Sequence, residues 1–232
     1  MTIVRGVDGC KGGWLCLSLD VNAEKPAAQI FPDAKSLLES DPGAITAIDI
    51  PIGLPSDKPR QCDIEARRLL GPRRSSVFPA PVRSAVEAAS YDLACAASET
   101  ACGKKLSKQT YALLPRIRDL DCLLRQKPDL VNTVFEVHPE VCFFHWNNRR
   151  PMRYSKHSGF GFMERFQLVE QVYCGAAEDI RQSVLPKDVS DDDILDALAA
   201  LWTAHRIHSG NAVCISDKRE KDEFGLPMQM WA

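Results

Sequence analysis

The chain has 232 residues, of which 45% are hydrophobic and 26% charged, and its formal net charge is -2. These values are typical of a globular protein with a sizeable core and exclude a generally basic protein that coats nucleic acid, although a local basic groove is compatible with them. The sequence has neither an apolar leader nor a run of about 18 apolar residues, and its nine cysteines form no C-x-x-C pair. We therefore expect reduced thiols, no membrane span and a cytoplasmic location.

Three short strands are predicted at the start of the chain. Residues 3–7 are mostly apolar and lead to Asp8 and a glycine-rich turn at 9–13. Residues 14–19 follow so closely that the pair predicts an antiparallel hairpin. Residues 27–31 predict the third strand.

A helix and a central strand follow. Asp33 is a typical N-cap for a helix over residues 34–39. Residues 44–50 form an apolar run that barely alternates and stops at Pro51, which indicates a strand covered on both faces. This strand carries Asp49 near its end.

The segment 54–130 differs in character from the rest. Its first half is rich in proline and predicts loops, whereas 84–102 and 107–126 have helical periodicity. No Gly/Ser linker marks a boundary, so we expect one domain over residues 1–232 with a helical and loop insertion at about 54–130.

The remaining elements predict an α/β fold. Residues 131–137 and 212–215 have strand character, and 160–174 and 191–202 have helical character. Three consecutive strands followed by strands that alternate with helices predict a mixed sheet flanked by helices.

Acidic residues occupy the strand ends and the last helix. Asp8 and Asp49 end two strands, Glu136 lies in a third, and Asp193 and Asp196 lie in the first turns of the last helix. A lone buried carboxylate is costly unless it has a partner or a metal ion. If the first and fourth strands are parallel neighbours, Asp8 and Asp49 meet at one edge of the sheet, where ligands bind in open α/β sheets.

The helical spacing sharpens this expectation. Asp193 and Asp196 fall on one stripe with Ala197 and Ala200, so two carboxylates share a face that can approach another backbone closely. Clustered carboxylates suit Mg²⁺ or Mn²⁺, and two such ions can stabilise the attacking and leaving oxygens of a phosphodiester displacement. Each acid could also be a turn residue or a helix cap.

Six ordered blocks resemble an uncharacterised bacterial and archaeal family of predicted nucleases with a ribonuclease H-like fold. With a GLPMQM tail they cover nearly the whole chain, and they read GVDGCKGGW, AIDIPIGLP, ARRLLGPRRSSVFPAPVR, LLPRIRDLD, FEVHPE and DDDILDALAALWTA. The resemblance implies a five-stranded mixed sheet flanked by helices, with DNA or RNA as the substrate.

The resemblance also implies a ligand set. In such nucleases an Asp on the first strand, an acid on the fourth and an Asp on the last helix bind two metal ions. That assigns Asp8, Asp49 and either Asp193 or Asp196 to Mg²⁺ or Mn²⁺. Glu136 becomes an additional ligand or a base, which departs from the commonest arrangement.

Basic and hydroxyl side chains form a candidate phosphate-binding group: Arg73, Arg74, Ser75, Ser76 and Arg83. Guanidinium groups bind phosphate in a bidentate manner, and hydroxyls add further hydrogen bonds. Phe78, in the same segment, could stack on a base or anchor the loop in the core.

The histidines suggest two further hypotheses, a catalytic role and a zinc site. His138 lies two residues after Glu136, so both side chains face the same side of a strand, and His138 could orient water or protonate a leaving group, or be structural. His138, Cys142 and His145 also hint at zinc, but a second ligand pair at typical spacing is missing.

Two other functions fit the same residues. Asp8-Gly9 and Gly12-Gly13 resemble the phosphate turn of actin-like sugar kinases, although no second glycine-rich loop follows Asp49. A catalytically inactive nucleic-acid-binding module that keeps the acids for structure is the other alternative. The oligomeric state is open, a dimer included.

Overall fold

The computed structural model describes residues 2–216 and 218–232. Within these residues one five-stranded sheet has the order β3-β2-β1-β4-β5. The strands are β1 (Ile3–Cys10), β2 (Gly13–Asp20), β3 (Ala27–Phe31), β4 (Ile45–Ile48) and β5 (Val134–Glu136). The first three pair antiparallel, and β4 and β5 run parallel to β1. The mixed α/β sheet expected from the sequence is confirmed.

Helices cover both faces of the sheet. The α-helices are α1 (Ala34–Glu39), α2 (Gln61–Leu70), α3 (Arg83–Val86), α4 (Tyr91–Cys102), α5 (Lys108–Gln126), α6 (Pro139–Trp146), α7 (Gly159–Val172), α8 (Ala176–Ser183) and α9 (Asp191–His208). Two 3₁₀ helices span Gly71–Ser76 and Pro128–Asn132. None of the helices in the described part of the chain is long and apolar enough to cross a membrane.

Three α-helices, α2, α6 and α8, lie where the sequence predicted none. Helix α2 falls in the segment predicted to be loop-rich, because Pro59 and Pro72 flank this helix instead of interrupting it. Helix α6 was missed because its residues from Pro139 to Phe144 are all buried, so no polar stripe alternates with an apolar one.

The strand ends also differ from the prediction. Strand β1 continues to Cys10, so Asp8 lies within the strand and pairs with Leu15 of β2. The segment 212–215 is not a strand of the sheet. It pairs with the C-terminus instead, since the Val213 amide donates to the Ala232 carbonyl at 2.7 Å.

Helix α9 packs very closely on β1. A Cβ atom added to Gly6 would lie 2.2 Å from the carbonyl oxygen of Ala197 and 2.1 Å from the amide nitrogen of Leu201. Ala197 and Ala200 are completely buried in this contact. Ala197 and Ala200, the small residues beside the acids, therefore allow the backbone of α9 to approach β1. This close packing determines the distance of Asp196 from the sheet.

Candidate active site

Three of the predicted acidic residues lie on the same side of the sheet. Asp8 lies two residues beyond Gly6, so it shares the face of β1 that α9 covers. Asp49 directly follows β4, and its amide donates to the Val7 carbonyl at 3.0 Å, which continues the parallel pairing of β1 and β4. Asp196 reaches the same place from α9. All three side chains line one cavity of about 520 Å³.

The carboxylates of this trio are poorly satisfied. Asp8 and Asp196 are only 8% and 5% exposed. Within residues 2–216 and 218–232, no group donates a hydrogen bond to the side chain of Asp8 or Asp49. Asp196 accepts one from the Lys156 ammonium, whose Nζ lies 2.7 Å from Oδ2. A largely buried carboxylate without a protein donor is costly in its charged form, so this arrangement favours a further positive partner.

The pKa values show the same deficit of positive charge. Burial, with the negative charges of Asp196 and Asp49, raises the pKa of Asp8 well above its usual range. Burial raises the pKa of Asp49 to about 7 and that of Asp196 to about 6, although Lys156 opposes both shifts. Burial alone would lower the pKa of Lys156, but Asp196 raises it above its usual value, so the ammonium stays charged.

The donor chemistry of the trio fits a hard divalent cation. Carboxylate oxygens are the ligands that Mg²⁺ and Mn²⁺ prefer, and none of the described residues donates a competing hydrogen bond to the side chain of Asp8 or Asp49. Among the described residues, however, no three His, Cys, Asp or Glu side chains already stand together as a metal-holding group. The Lys156 ammonium is the positive charge that the trio shares, so an incoming ion would have to compete with it.

Glu136 is engaged elsewhere in the cavity wall. Its two carboxylate oxygens each accept from Arg60, at 2.7 Å, and Oε2 also accepts from the Ile52 amide at 2.6 Å. Arg60 donates in turn to Asp63 at 2.6 Å. Glu136 therefore fixes the loop that follows Asp49, and both of its oxygens are already occupied.

Asp193 and Asp196 have different roles, although the sequence could not separate them. Asp193 forms a capping box with Ser190: its Oδ2 accepts from the Ser190 amide at 2.8 Å, and its own amide donates to the Ser190 hydroxyl at 3.2 Å. Asp196, one turn later, is the residue that faces Asp8. The negative charge of Asp193 still contributes to the raised pKa of Asp8.

Both ring nitrogens of His138 are used within the protein. Nδ1 accepts from the Glu140 amide at 3.2 Å, as the N-cap of α6, and Nε2 lies 3.1 Å from the Ser76 carbonyl oxygen, to which it donates. Burial lowers the pKa of this imidazole, which is therefore neutral at neutral pH. His138 lines the cavity and connects α6 to Ser76 of the candidate phosphate-binding group.

The predicted phosphate-binding residues divide into two groups. Arg73, Ser75 and Ser76 line the cavity, and the Nε of Arg73 is buried without a hydrogen-bond partner in the described part of the chain. Arg74 is exposed and does not line the cavity. Arg83 is buried elsewhere: its guanidinium donates to Asp121 at 2.9 Å and to Asp222 at 2.5 Å.

Besides Arg60 and Asp63, three further charged residues line the cavity and were not singled out in the sequence. Arg116 donates to the Cys10 carbonyl and stands over the ring of Trp14. Glu140 pairs with Arg165, but its Oε2 is buried and has no partner among the described residues. The third is Lys156. It sits in an irregular polar segment between α6 and α7, where the sequence has no periodicity that could reveal its position.

The glycine turn between β1 and β2 is already engaged within the protein. Its Gly12 amide donates to the Asp188 carbonyl at 3.2 Å. Gly13 has φ +128° and pairs with Cys10, so its conformation serves the hairpin. These contacts favour the hairpin role of the glycines over a phosphate turn.

Comparison with known proteins gives one match. The family model described as protein of unknown function (DUF429) matches residues 6–221. No curated protein and no solved structure matches the chain. The matched range includes all three members of the carboxylate trio.

Proposed function

The chain belongs to the DUF429 family, and we propose that it is a divalent-metal-dependent phosphodiesterase that acts on nucleic acid. One observation carries the proposal: the carboxylates of Asp8 and Asp49 line the cavity, and none of the described residues donates a hydrogen bond to them. Folding a chain around such groups is unfavourable unless a ligand compensates for their charge. A cation is the ligand that oxygen donors of this kind accept.

The acidic and basic residues of the cavity have different proposed roles. Asp8, Asp49 and Asp196 would hold Mg²⁺ or Mn²⁺, which when bound activates water and stabilises the leaving oxygen. Arg73 and Arg116 line the same cavity, and their guanidinium groups suit the oxygens of a phosphodiester.

The fold supports the proposal by analogy alone. A sheet of order β3-β2-β1-β4-β5 with an acidic residue on its first strand, one after its fourth and one on the last helix is the arrangement implied by the resemblance to ribonuclease H-like nucleases. One fold hosts many activities, so the cavity and its carboxylates have the greater weight.

Metal removal tests the proposal directly. The purified chain should cleave a mixture of single-stranded and duplex DNA and RNA in Mg²⁺ or Mn²⁺, lose the activity in EDTA, and recover it when metal is restored. Asp196→Asn should reduce the rate by roughly 1,000-fold, because several kcal/mol of charge stabilisation are lost. Asp179→Asn, on exposed α8, is the control. Cleavage that persists in EDTA, or that Asp196→Asn leaves intact, contradicts the proposal.

Lys156 should limit metal affinity. Its ammonium supplies the positive charge near Asp196 that an ion would replace, and like charges at short range repel by about 1 kcal/mol or more. We expect Lys156→Gln to tighten Mn²⁺ binding by about tenfold in calorimetry, and to lower the Tm of the metal-free protein. Lys187→Gln, at an exposed lysine, is the matched control. Weaker Mn²⁺ binding by Lys156→Gln would show instead that the lysine helps to hold the ion.

A further inference from the structure

The carboxylate trio lines a cavity whose walls come from three other segments. One wall comes from the residues after the first 3₁₀ helix, including Phe78, a second from the start of α5 with Gln109 and Leu113, and a third from Ser155–His157. The volume of about 520 Å³ falls in the range of roughly 300–1,000 Å³ that is typical of small-molecule pockets. A ligand must therefore enter the cavity to reach Asp8 or Asp196.

This shape discriminates between forms of nucleic acid. In a duplex the bases are paired and stacked, and a base must leave the stack before it can enter a pocket. A single strand can splay its nucleotides outward at much smaller cost and can stack them on aromatic side chains. The recessed trio thus favours a strand whose backbone is free to bend into the cavity.

Aromatic rings stand beside the cavity with exposed faces. Phe78 lines it and is 48% exposed. Tyr154 directly precedes the lining segment Ser155–His157, and its ring contacts that of Phe160, which is 75% exposed. Exposed rings next to a phosphate-binding cavity are what stacking of unpaired bases requires.

Cationic groups complete the arrangement. Arg73 precedes Phe78 by five residues and has a buried Nε without a partner in the described part of the chain. Arg116 also lines the cavity. An arginine beside an exposed aromatic ring can bind a phosphate while the ring stacks on the attached base.

We infer that this cavity takes a nucleotide of single-stranded nucleic acid, with its phosphodiester at the carboxylate trio and its base stacked on Phe78. The inference rests on the proposed function and names its substrate class. Intact duplex is the poorer ligand, because its bases must leave the stack before they can enter the cavity. The phosphate is held by Arg73 and Arg116.

Binding can be measured apart from cleavage. Fluorescence anisotropy in EDTA and at one fixed salt concentration compares a labelled oligothymidylate of about 12 nucleotides with a blunt duplex of the same length. We expect the single strand to bind at least about tenfold more tightly. Phe78→Ala should weaken that binding by about tenfold, and Phe78→Trp should retain it. Phe224→Ala is the matched control, because Phe224 is also 48% exposed but stands over Arg83 and Arg125.

The outcomes separate the two proposals. Equal or tighter binding of the duplex, or an unchanged Kd for Phe78→Ala with an intact melting curve, overturns the inference. Metal-dependent cleavage of blunt duplex with no binding of the single strand overturns it as well, but leaves the phosphodiesterase proposal in place. Single-strand binding that depends on Phe78, in a chain that cleaves nothing, supports the inference and removes the proposed activity.

Discussion

Asp8→Asn is expected to abolish metal-dependent cleavage and Mn²⁺ binding while making the metal-free protein more stable. The cleavage rate should fall by roughly 1,000-fold or more, because one anionic ligand of the cation is lost. The free energy of unfolding in EDTA at pH 8 should rise by about 1–2 kcal/mol, since an uncompensated buried charge is removed. Cleavage assays, calorimetry and urea unfolding measure the three effects.

The pH dependence of this stabilisation has a defined sign. The pKa of Asp8 is raised in the folded protein, so the folded chain takes up the proton before the unfolded chain does. The charged Asp8 carboxylate therefore lowers the free energy of unfolding by its full amount at pH values above the raised pKa. This effect diminishes as the pH falls from there towards the unfolded value, near 3.8. The difference in stability between Asp8→Asn and the parent protein should narrow over that interval.

Asp63 provides a control with the opposite expected effect on stability. It is as buried as Asp8, but it accepts from Arg60 at 2.6 Å and from the Ala80 amide at 2.9 Å. Asp63→Asn breaks a buried ion pair and should destabilise the protein by about 3–5 kcal/mol. If Asp8→Asn destabilises the protein as Asp63→Asn does, Asp8 is structural and the metal proposal loses its main support.

The sequence could predict most of the sheet because local patterns determine it. The turn at Lys11-Gly12, the N-cap at Asp33 and the mostly apolar run before Asp49 are short-range features. The acids of the trio were also identified, since each occupies a recognisable place on a strand or on the last helix. The sequence pattern could not predict which residue pairs with each acid.

Partners are determined by contacts between residues far apart in the chain. Glu136 is paired with Arg60, 76 residues earlier, and Lys156 reaches Asp196, 40 residues later. Neither contact leaves a periodic signal in the sequence. The same holds for Arg83, whose proximity to the candidate phosphate residues in the chain gave no indication that it pairs with Asp222.

Gly6→Ala is expected to cause a large loss of stability. The added methyl group would lie 2.1–2.5 Å from backbone atoms of α9, and backbone atoms cannot rotate away as a flexible side chain can. Overpacking in a well-packed core costs about 3 kcal/mol or more in such a case. Urea unfolding measures the change in the free energy of unfolding.

The same substitution connects the packing to the site. Relief of the clash requires α9 to move away from β1. This movement separates Asp196 on the helix from Asp8 on the strand. We therefore expect the fraction of the protein that remains folded to bind Mn²⁺ more weakly. Gly159→Ala is the control, because nothing lies within 4 Å of its added Cβ and alanine favours a helix over glycine. It should leave stability and Mn²⁺ affinity unchanged or raise stability slightly. If Gly6→Ala loses stability but keeps full Mn²⁺ affinity, the spacing between α9 and β1 does not set the geometry of the carboxylate trio.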